Sequence, residues 1–217
     1  MLNIILMGPP GAGKGTQAVK LEQEYKLPHI STGDMFREET SSGSALGNQV
    51  KAIIERGDLV PDELTVAIVK ARLSKDDCAK GYILDGFPRT LPQAEALEKM
   101  GREIGREVTL VINFSASEDE LVRRISGRRV CPKCGASYHV VSMKPKQEGI
   151  CDLCGTPLIQ RKDDNEASLK VRLANYYKST APLLSFYKER KLLHDFDGMM
   201  GSVKLHEELT KLLNGLK

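Results

Sequence analysis

The chain has 217 residues, enough for one large domain or a core with small inserts, and 41% hydrophobic against 28% charged residues is an ordinary soluble balance. A formal charge of +3 and 5% aromatic residues do not make a nucleic-acid coat, so any phosphate recognition has to come from where the arginines sit. No stretch is long and apolar enough to span a bilayer, and an odd count of five cysteines argues against a disulfide framework, so the expected compartment is the cytoplasm, without membrane attachment.

Leu2 to Met7 reads as a short buried strand rather than a secretion signal, because it lacks a basic leader and runs into Gly8-Pro9-Pro10. A helical pattern follows from about Lys14 to Tyr25, then a short strand at His29 and Ile30. Residues 34–56 are polar and helical, interrupted at Ser41-Ser42-Gly43. Pro61, Asp62 and Glu63 mark a helix start, with acids at the positive end, and the helix should reach Leu73. Strands are expected at 82–84 and 108–114, helices at 91–100 and 118–126. Residues 130–158, rich in Cys, Gly, Pro and Lys, read as an insert of turns. Helical pattern resumes over 166–191, with a strand near 194–196 and a last helix over 202–213. Strand, glycine turn and helix open a parallel α/β sheet.

The stretch Gly8 to Lys14 fits G-x-x-x-x-G-K between a strand and a helix. Glycines there let backbone N–H groups turn toward a phosphate, the helix adds its positive end, and Lys14 supplies a mobile cation. One departure stands out. Gly15 follows the lysine and the hydroxyl comes at Thr16, where a standard loop has Ser or Thr at once. Asp85 and Arg89 lie just past the strand at 82–84, at the end of a parallel sheet where ligands bind. Asp85 is suited to hold magnesium through water, Arg89 to fork onto a phosphate, and the Gln93 amide, one turn on, to read a base edge.

Two C-x-x-C pairs, Cys131/Cys134 and Cys151/Cys154, fit a zinc ribbon or knuckle; four thiolates leave no open position, so the ion would be structural, with iron as the alternative. Cys78 reads as a lone, partly buried thiol. The four histidines are scattered and read as structural or exposed. Arg123 and Arg129 read as solvated.

These motifs together resemble the adenylate kinase family. Gly8 to Thr16, including the Gly15-Thr16 departure, is similar to that family's phosphate loop, and Asp85-Gly86-Phe87-Pro88-Arg89 with Gln93 to its signature. Ser31-Thr32-Gly33-Asp34-Met35-Phe36-Arg37 resembles its monophosphate motif, and Gly127-Arg128-Arg129 and Arg161-Lys162-Asp163-Asp164 the edges of its lid. The resemblance runs from Leu2 to Lys217. It implies a P-loop nucleoside monophosphate kinase fold, an α/β architecture with a five-stranded parallel sheet flanked by helices. It divides the chain into a core (1–30, 61–126 and 165–217), a monophosphate-binding insert (31–60) and a zinc-stapled lid (127–164).

It also implies reversible transfer from MgATP to AMP giving two ADP, by a monomer whose partners are these nucleotides. Lys14, Arg89, Arg124, Arg128, Arg161 and Arg172 match the catalytic cations. Gly11, Ala12, Gly13, Lys14, Gly15, Thr16, Ser137, Tyr138 and the backbone near Met200 would hold ATP. Thr32, Arg37, Gly86, Phe87, Pro88, Arg89 and Gln93, with the backbone at Asp58, Leu59 and Val60, would hold AMP. Thr32 with Gln93 favours AMP over pyrimidine monophosphates, whose kinases resemble Ser-Ala-Gly-Asp at this place. Other readings are another monophosphate kinase, one with GTP as donor, or a zinc-ribbon nucleic-acid-binding ATPase. A regulatory GTPase is disfavoured for lack of an Asn-Lys-x-Asp motif.

Overall fold

The computed structural model describes residues 1–216, Leu46 by its backbone alone. The expected core segment 165–217 therefore ends on Lys217, outside the described residues. In chain order the elements are β1 (Leu2–Met7), α1 (Lys14–Tyr25), β2 (His29–Ser31), α2 (Thr32–Ser42), α3 (Ala45–Arg56), α4 (Asp62–Leu73), β3 (Gly81–Asp85), α5 (Leu91–Ile104), β4 (Leu110–Ser115), α6 (Glu118–Ser126), β5 (Arg128–Val130), β6 (Ser137–His139), α7 (Glu166–Asn175), α8 (Leu183–Glu189), β7 (Leu193–Asp197) and α9 (Ser202–Gly215).

Five strands form one parallel sheet in the order β2-β3-β1-β4-β7. A parallel sheet is covered on both faces, which is why its three central strands, β3, β1 and β4, are nearly continuous buried runs, while the edge strands β2 and β7 are more polar. The alternation of side chains divides each run between two cores. Ile4, Leu6, Ile112 and Phe114 pack with Ala18 and Leu21 of α1, Leu121 and Ile125 of α6 and Leu205 and Leu209 of α9. Ile5, Met7, Leu84 and Val111 pack on the other face with Val69 and Leu73 of α4, Leu97 of α5 and Leu183 and Tyr187 of α8.

Helix starts follow the side chains available to cap them. Ser31 accepts from Asp34 N at 3.2 Å, Thr90 from Gln93 N at 3.4 Å and Asn165 from Ser168 N at 2.9 Å, each satisfying a first-turn donor. The helical run expected over 166–191 is broken. A π-helical turn at Tyr176–Thr180 precedes Pro182, whose ring removes a donor and crowds the preceding turn. Residues 76–80 form a 3₁₀ turn that periodicity missed, and Cys78 within it is fully buried rather than partly so.

Two segments outside the sheet have cores of their own. In 31–60, Phe36, Val50 and Val60 cluster with Ile53 and Ile54. In 127–164, antiparallel β5 and β6 carry a small cluster of Cys131, Tyr138 and Cys151. Among the described residues no helix is long and apolar enough to cross a membrane.

Candidate active site

The carboxyl ends of β1, β2 and β3 converge on the glycine loop. Gly8, Gly11 and Gly13 all have positive φ, and a Cβ at Gly8 would lie 2.4 Å from the Phe114 carbonyl oxygen, so no other residue fits there. Lys14 is turned back over the loop and donates to the carbonyls of Gly8 at 2.7 Å and Pro9 at 2.9 Å. Burial pushes its ammonium down to about 8; Asp85 opposes this, while Arg89, Arg172 and Arg128 push the same way. The cations anticipated from motifs far apart in the chain are thus brought within each other's field. Gly15 faces Asp85, its Cβ position 3.5 Å from Oδ2, and Thr16 sits half-buried one residue on.

Asp85 ends β3, and His29 Nε2 stands 3.6 Å from its Oδ2. Burial opposes ionisation of Asp85, yet the neighbouring His29 imidazole and the charge of Lys14 bring its pKa below the usual carboxylate range. Burial likewise opposes charge on His29, and Asp85 outweighs it, raising the imidazole. No sequence motif points to a histidine in the site. His29 reaches it because β2 pairs with β3 in a register that aligns Ser31 with Asp85, a register no local pattern reveals.

The Gly86 carbonyl joins two of the anticipated monophosphate residues, accepting from Thr32 Oγ1 and Arg89 Nε, both at 2.8 Å. A Cβ at Gly86 would lie 2.9 Å from Arg89 Nη2. Phe87 and Pro88 are buried beneath. Gln93 is 2% exposed, and its Oε1 accepts from Arg89 N at 2.8 Å. Arg37 forks onto Asp34, and Arg161 reaches the same carboxylate at 3.1 Å. The 57–60 turn packs on α7: a Cβ at Gly57 would lie 2.8 Å from Arg172 Cγ, and Asn175 donates to the Gly57 carbonyl. Beyond it, Asp58 pairs with Arg56 at 2.9 Å, Leu59 is half-buried and Val60 is buried.

The three remaining arginines of the expected catalytic set are each held by a carboxylate. Arg124 donates to Glu120 at 2.6 Å and to the carbonyls of Ala12 and Gly198 at 3.3 and 2.9 Å, tying the glycine loop to the turn before Met200. Arg128 forks onto Asp164, and Arg172 pairs with Asp163 at 3.1 Å. Asp34, Glu120, Asp163 and Asp164 had no assigned role in the sequence. Acids next to phosphate-site arginines were the available signal. Arg123 is exposed as expected and also forks onto Glu120; Arg129 is half-buried, its guanidinium on the Ser126 and Arg128 carbonyls.

The sulfurs of Cys131, Cys134, Cys151 and Cys154 lie within 4.8 Å of one another, with separations of 3.4 Å (131 to 154), 3.5 Å (134 to 151) and 3.6 Å (134 to 154). Sulfurs about 2.3 Å from a tetrahedral ion stand about 3.8 Å apart, so the four residues fit a closed zinc shell. Both halves use one turn. Gly135 N and Gly155 N bond back to the first cysteine's carbonyl at 3.0 and 2.9 Å, each glycine at positive φ. The motif is really C-x-x-C-G twice, a regularity visible in the sequence but overlooked. Tyr138 extends into this unit; its hydroxyl accepts from Asp152 N at 2.8 Å and lies 3.5 Å from Cys151 Sγ. Ser137 precedes it on β6, half-buried.

A parallel sheet with a glycine loop, an enclosed lysine and a ring of arginines defines a P-loop phosphotransferase. The family model described as adenylate kinase matches residues 6–192. The chain is 50% identical over 216 residues to the adenylate kinase of Geobacillus sp. (strain WCH70), covering all of both chains. It is 51% identical over 215 residues to that of Kosmotoga olearia, covering 99% of this chain and all of the other. It is 49% identical over 216 residues to that of Bacillus subtilis (strain 168), again over the whole of both. The chain belongs to the adenylate kinase family and is a nucleoside monophosphate kinase.

Proposed function

We propose that this chain moves the terminal phosphoryl group of MgATP onto AMP, reversibly, giving two ADP, with residues 31–60 as the monophosphate-binding domain and 127–164 as a lid over the core. The observation that carries the reading is the mutual approach of Lys14, Arg89, Arg128 and Arg172, four cations from four distant places in the chain. Asp85, Asp163 and Asp164 hold these cations in place, and phosphoryl transfer, which spreads negative charge over several oxygens at once, is the chemistry such a cluster suits.

In this reading the backbone of Gly11 to Thr16 and Lys14 bind the ATP phosphates. The backbone of Ser137 and Tyr138 and the turn at Met200 bound the ATP base. Thr32, Arg37, Arg89 and Gln93 hold AMP, with the 58–60 backbone closing on its base. Arg124, Arg128, Arg161 and Arg172 place charge around the transferred group; one such arginine contributes about 10³–10⁵ in rate in related chemistry. Magnesium arrives with ATP as part of the substrate, and Asp85 is its holder through water. No general base is needed, because a phosphate with a second pKa of about 6 is already largely dianionic at neutral pH. Exclusion of water falls to the lid, which zinc on the four cysteines would staple. A cytoplasmic monomer that takes nucleotides alone remains part of the proposal, resting on the family.

ADP formation is to be measured with AMP, CMP and UMP as acceptors, for the natural chain and for Lys14→Met and Arg89→Ala. AMP should be far the best acceptor and both variants should lose on the order of 10² or more in kcat/KM. Poor turnover of AMP, or full activity in either variant, would overturn the assignment.

A further inference from the structure

Asp62 opens α4 as an acid at the helix's positive end. Its carboxylate does more than that. Oδ1 accepts from Gln93 Nε2 at 2.6 Å, and Oδ2 accepts from Thr90 Oγ1 at 2.9 Å. Across the amide, Gln93 Oε1 accepts from Arg89 N at 2.8 Å. Thr90 Oγ1 in turn accepts from Gln93 N as it caps α5.

A glutamine amide is nearly symmetric in shape, and turning it over exchanges a donor for an acceptor. Here neither neighbour permits the exchange. An ionised carboxylate only accepts, so it needs Nε2; a backbone N–H only donates, so it needs Oε1. With those bonds made, the amide keeps one hydrogen on Nε2 and one lone pair on Oε1. Which end carries which is settled before any base arrives.

We propose that Asp62 is a positioning residue for base specificity: by locking the Gln93 amide one way round, it makes the monophosphate site accept adenine and refuse hypoxanthine. The proposal rests on the assignment of Gln93 to the AMP base. Adenine presents its N6 amino donor beside a ring acceptor. Hypoxanthine has almost the same outline but carries a carbonyl oxygen at position 6 and an N–H at N1, so the pattern is reversed. A free amide turns to suit either base. A locked amide meets the second with donor against donor and acceptor against acceptor, and a buried mismatch of that kind is costly.

The test is steady-state kinetics with AMP and with IMP at saturating ATP, plus KM for ATP and a thermal melt, for the natural chain, Asp62→Ala, Asp62→Asn and Gln93→Leu. Asp62→Ala leaves the amide held only through Arg89 N, so it should lower the kcat/KM preference for AMP over IMP by up to about tenfold, within the range one bidentate base contact provides, with KM for ATP unmoved. Asp62→Asn keeps the shape yet can offer either end to Gln93, so it should fall between; it carries the test if the alanine variant melts too low to assay. Gln93→Leu should abolish the preference. A preference unmoved in both Asp62 variants but lost in Gln93→Leu overturns the role of Asp62 alone. A preference unmoved in all three overturns the placement of Gln93 on the base as well. Equal losses toward AMP, IMP and ATP would mark general damage and also overturn the proposal.

Discussion

Arg128 holds Asp164 with both prongs of its guanidinium, and the Asp164 side chain is wholly enclosed. Arg172 approaches the same carboxylate at 3.6 Å while pairing with Asp163. One buried acid thus sets the place of one arginine and steadies a second, across the junction of the 127–164 segment with α7.

Removing that acid leaves the half-buried Arg128 guanidinium without its partner, a change that costs about 3–5 kcal/mol where the stranded charge is fully buried and less here. Asp164→Ala should lower the unfolding free energy by up to about 3 kcal/mol and reduce kcat, because Arg128 is no longer held. Asp164→Asn keeps shape and an acceptor and should lose less on both counts. Urea unfolding and ADP production measure the two effects; a stable, fully active Asp164→Ala protein would show the pair to be incidental.

Lys14 sets the response to alkali. Its folded pKa of about 8 lies below the ordinary 10.5, chiefly through burial. Between those values the unfolded chain holds a proton the folded chain has released, so the stability of the nucleotide-free protein gains as pH rises through that window. Bound phosphates hold the proton on Lys14. ATP binding should therefore take up a proton above a pH of about 8, and affinity should weaken there by up to about tenfold per pH unit. Calorimetry in two buffers of different ionisation enthalpy reads the uptake directly, and equal apparent enthalpies would refute it.

Gly127 and His139 form a tight joint. A Cβ on Gly127 would fall 2.2 Å from His139 Nε2. The ring's Nδ1 accepts from Val141 N and Ser142 N, both at 3.1 Å, so the hydrogen sits on Nε2 and is donated to the Arg123 carbonyl at 3.2 Å. Gly127→Ala should expel the ring and cost about 1–3 kcal/mol. With His139 already changed to alanine the same substitution should cost much less, and additive losses in the double-mutant cycle would sink the idea.

The cysteine cluster should carry a metal in solution. Elemental analysis of the purified chain should give about one zinc per molecule, and Cys151→Ser should lose the ion and lower the melting temperature by on the order of 5 °C. Iron in place of zinc would correct the metal; a metal-free protein with an unchanged melt would overturn the site.

The sheet was legible because parallel strands buried on both faces are written as apolar runs, and two of them, β1 and β3, stop at Gly8 and Asp85 of the candidate site. The phosphate loop and the cysteine pairs were legible because their chemistry is local, set by spacings of a few residues. What orients the site was not. Asp62 meets Gln93 from 31 positions away, Asp164 meets Arg128 from 36, and Asp34 meets Arg161 from 127, and no periodicity spans such gaps. His29 depended on strand register in the same way. The break in the 166–191 helical run is written plainly at Pro182, whose missing donor overrides the helical period around it.

The contacts that bring the 127–164 segment down onto the 31–60 segment include two ion pairs, Arg161 with Asp34 and Lys162 with Glu55, and in each at least one partner stands half in water. Pairs of that kind are worth about 0–1 kcal/mol, and ions at physiological strength screen charges beyond about 8 Å. The clasp is therefore as easy to undo as to fasten. The proposed lid has to let two highly charged products go each cycle, and contacts this weak and this readily screened by everyday salt suit that release.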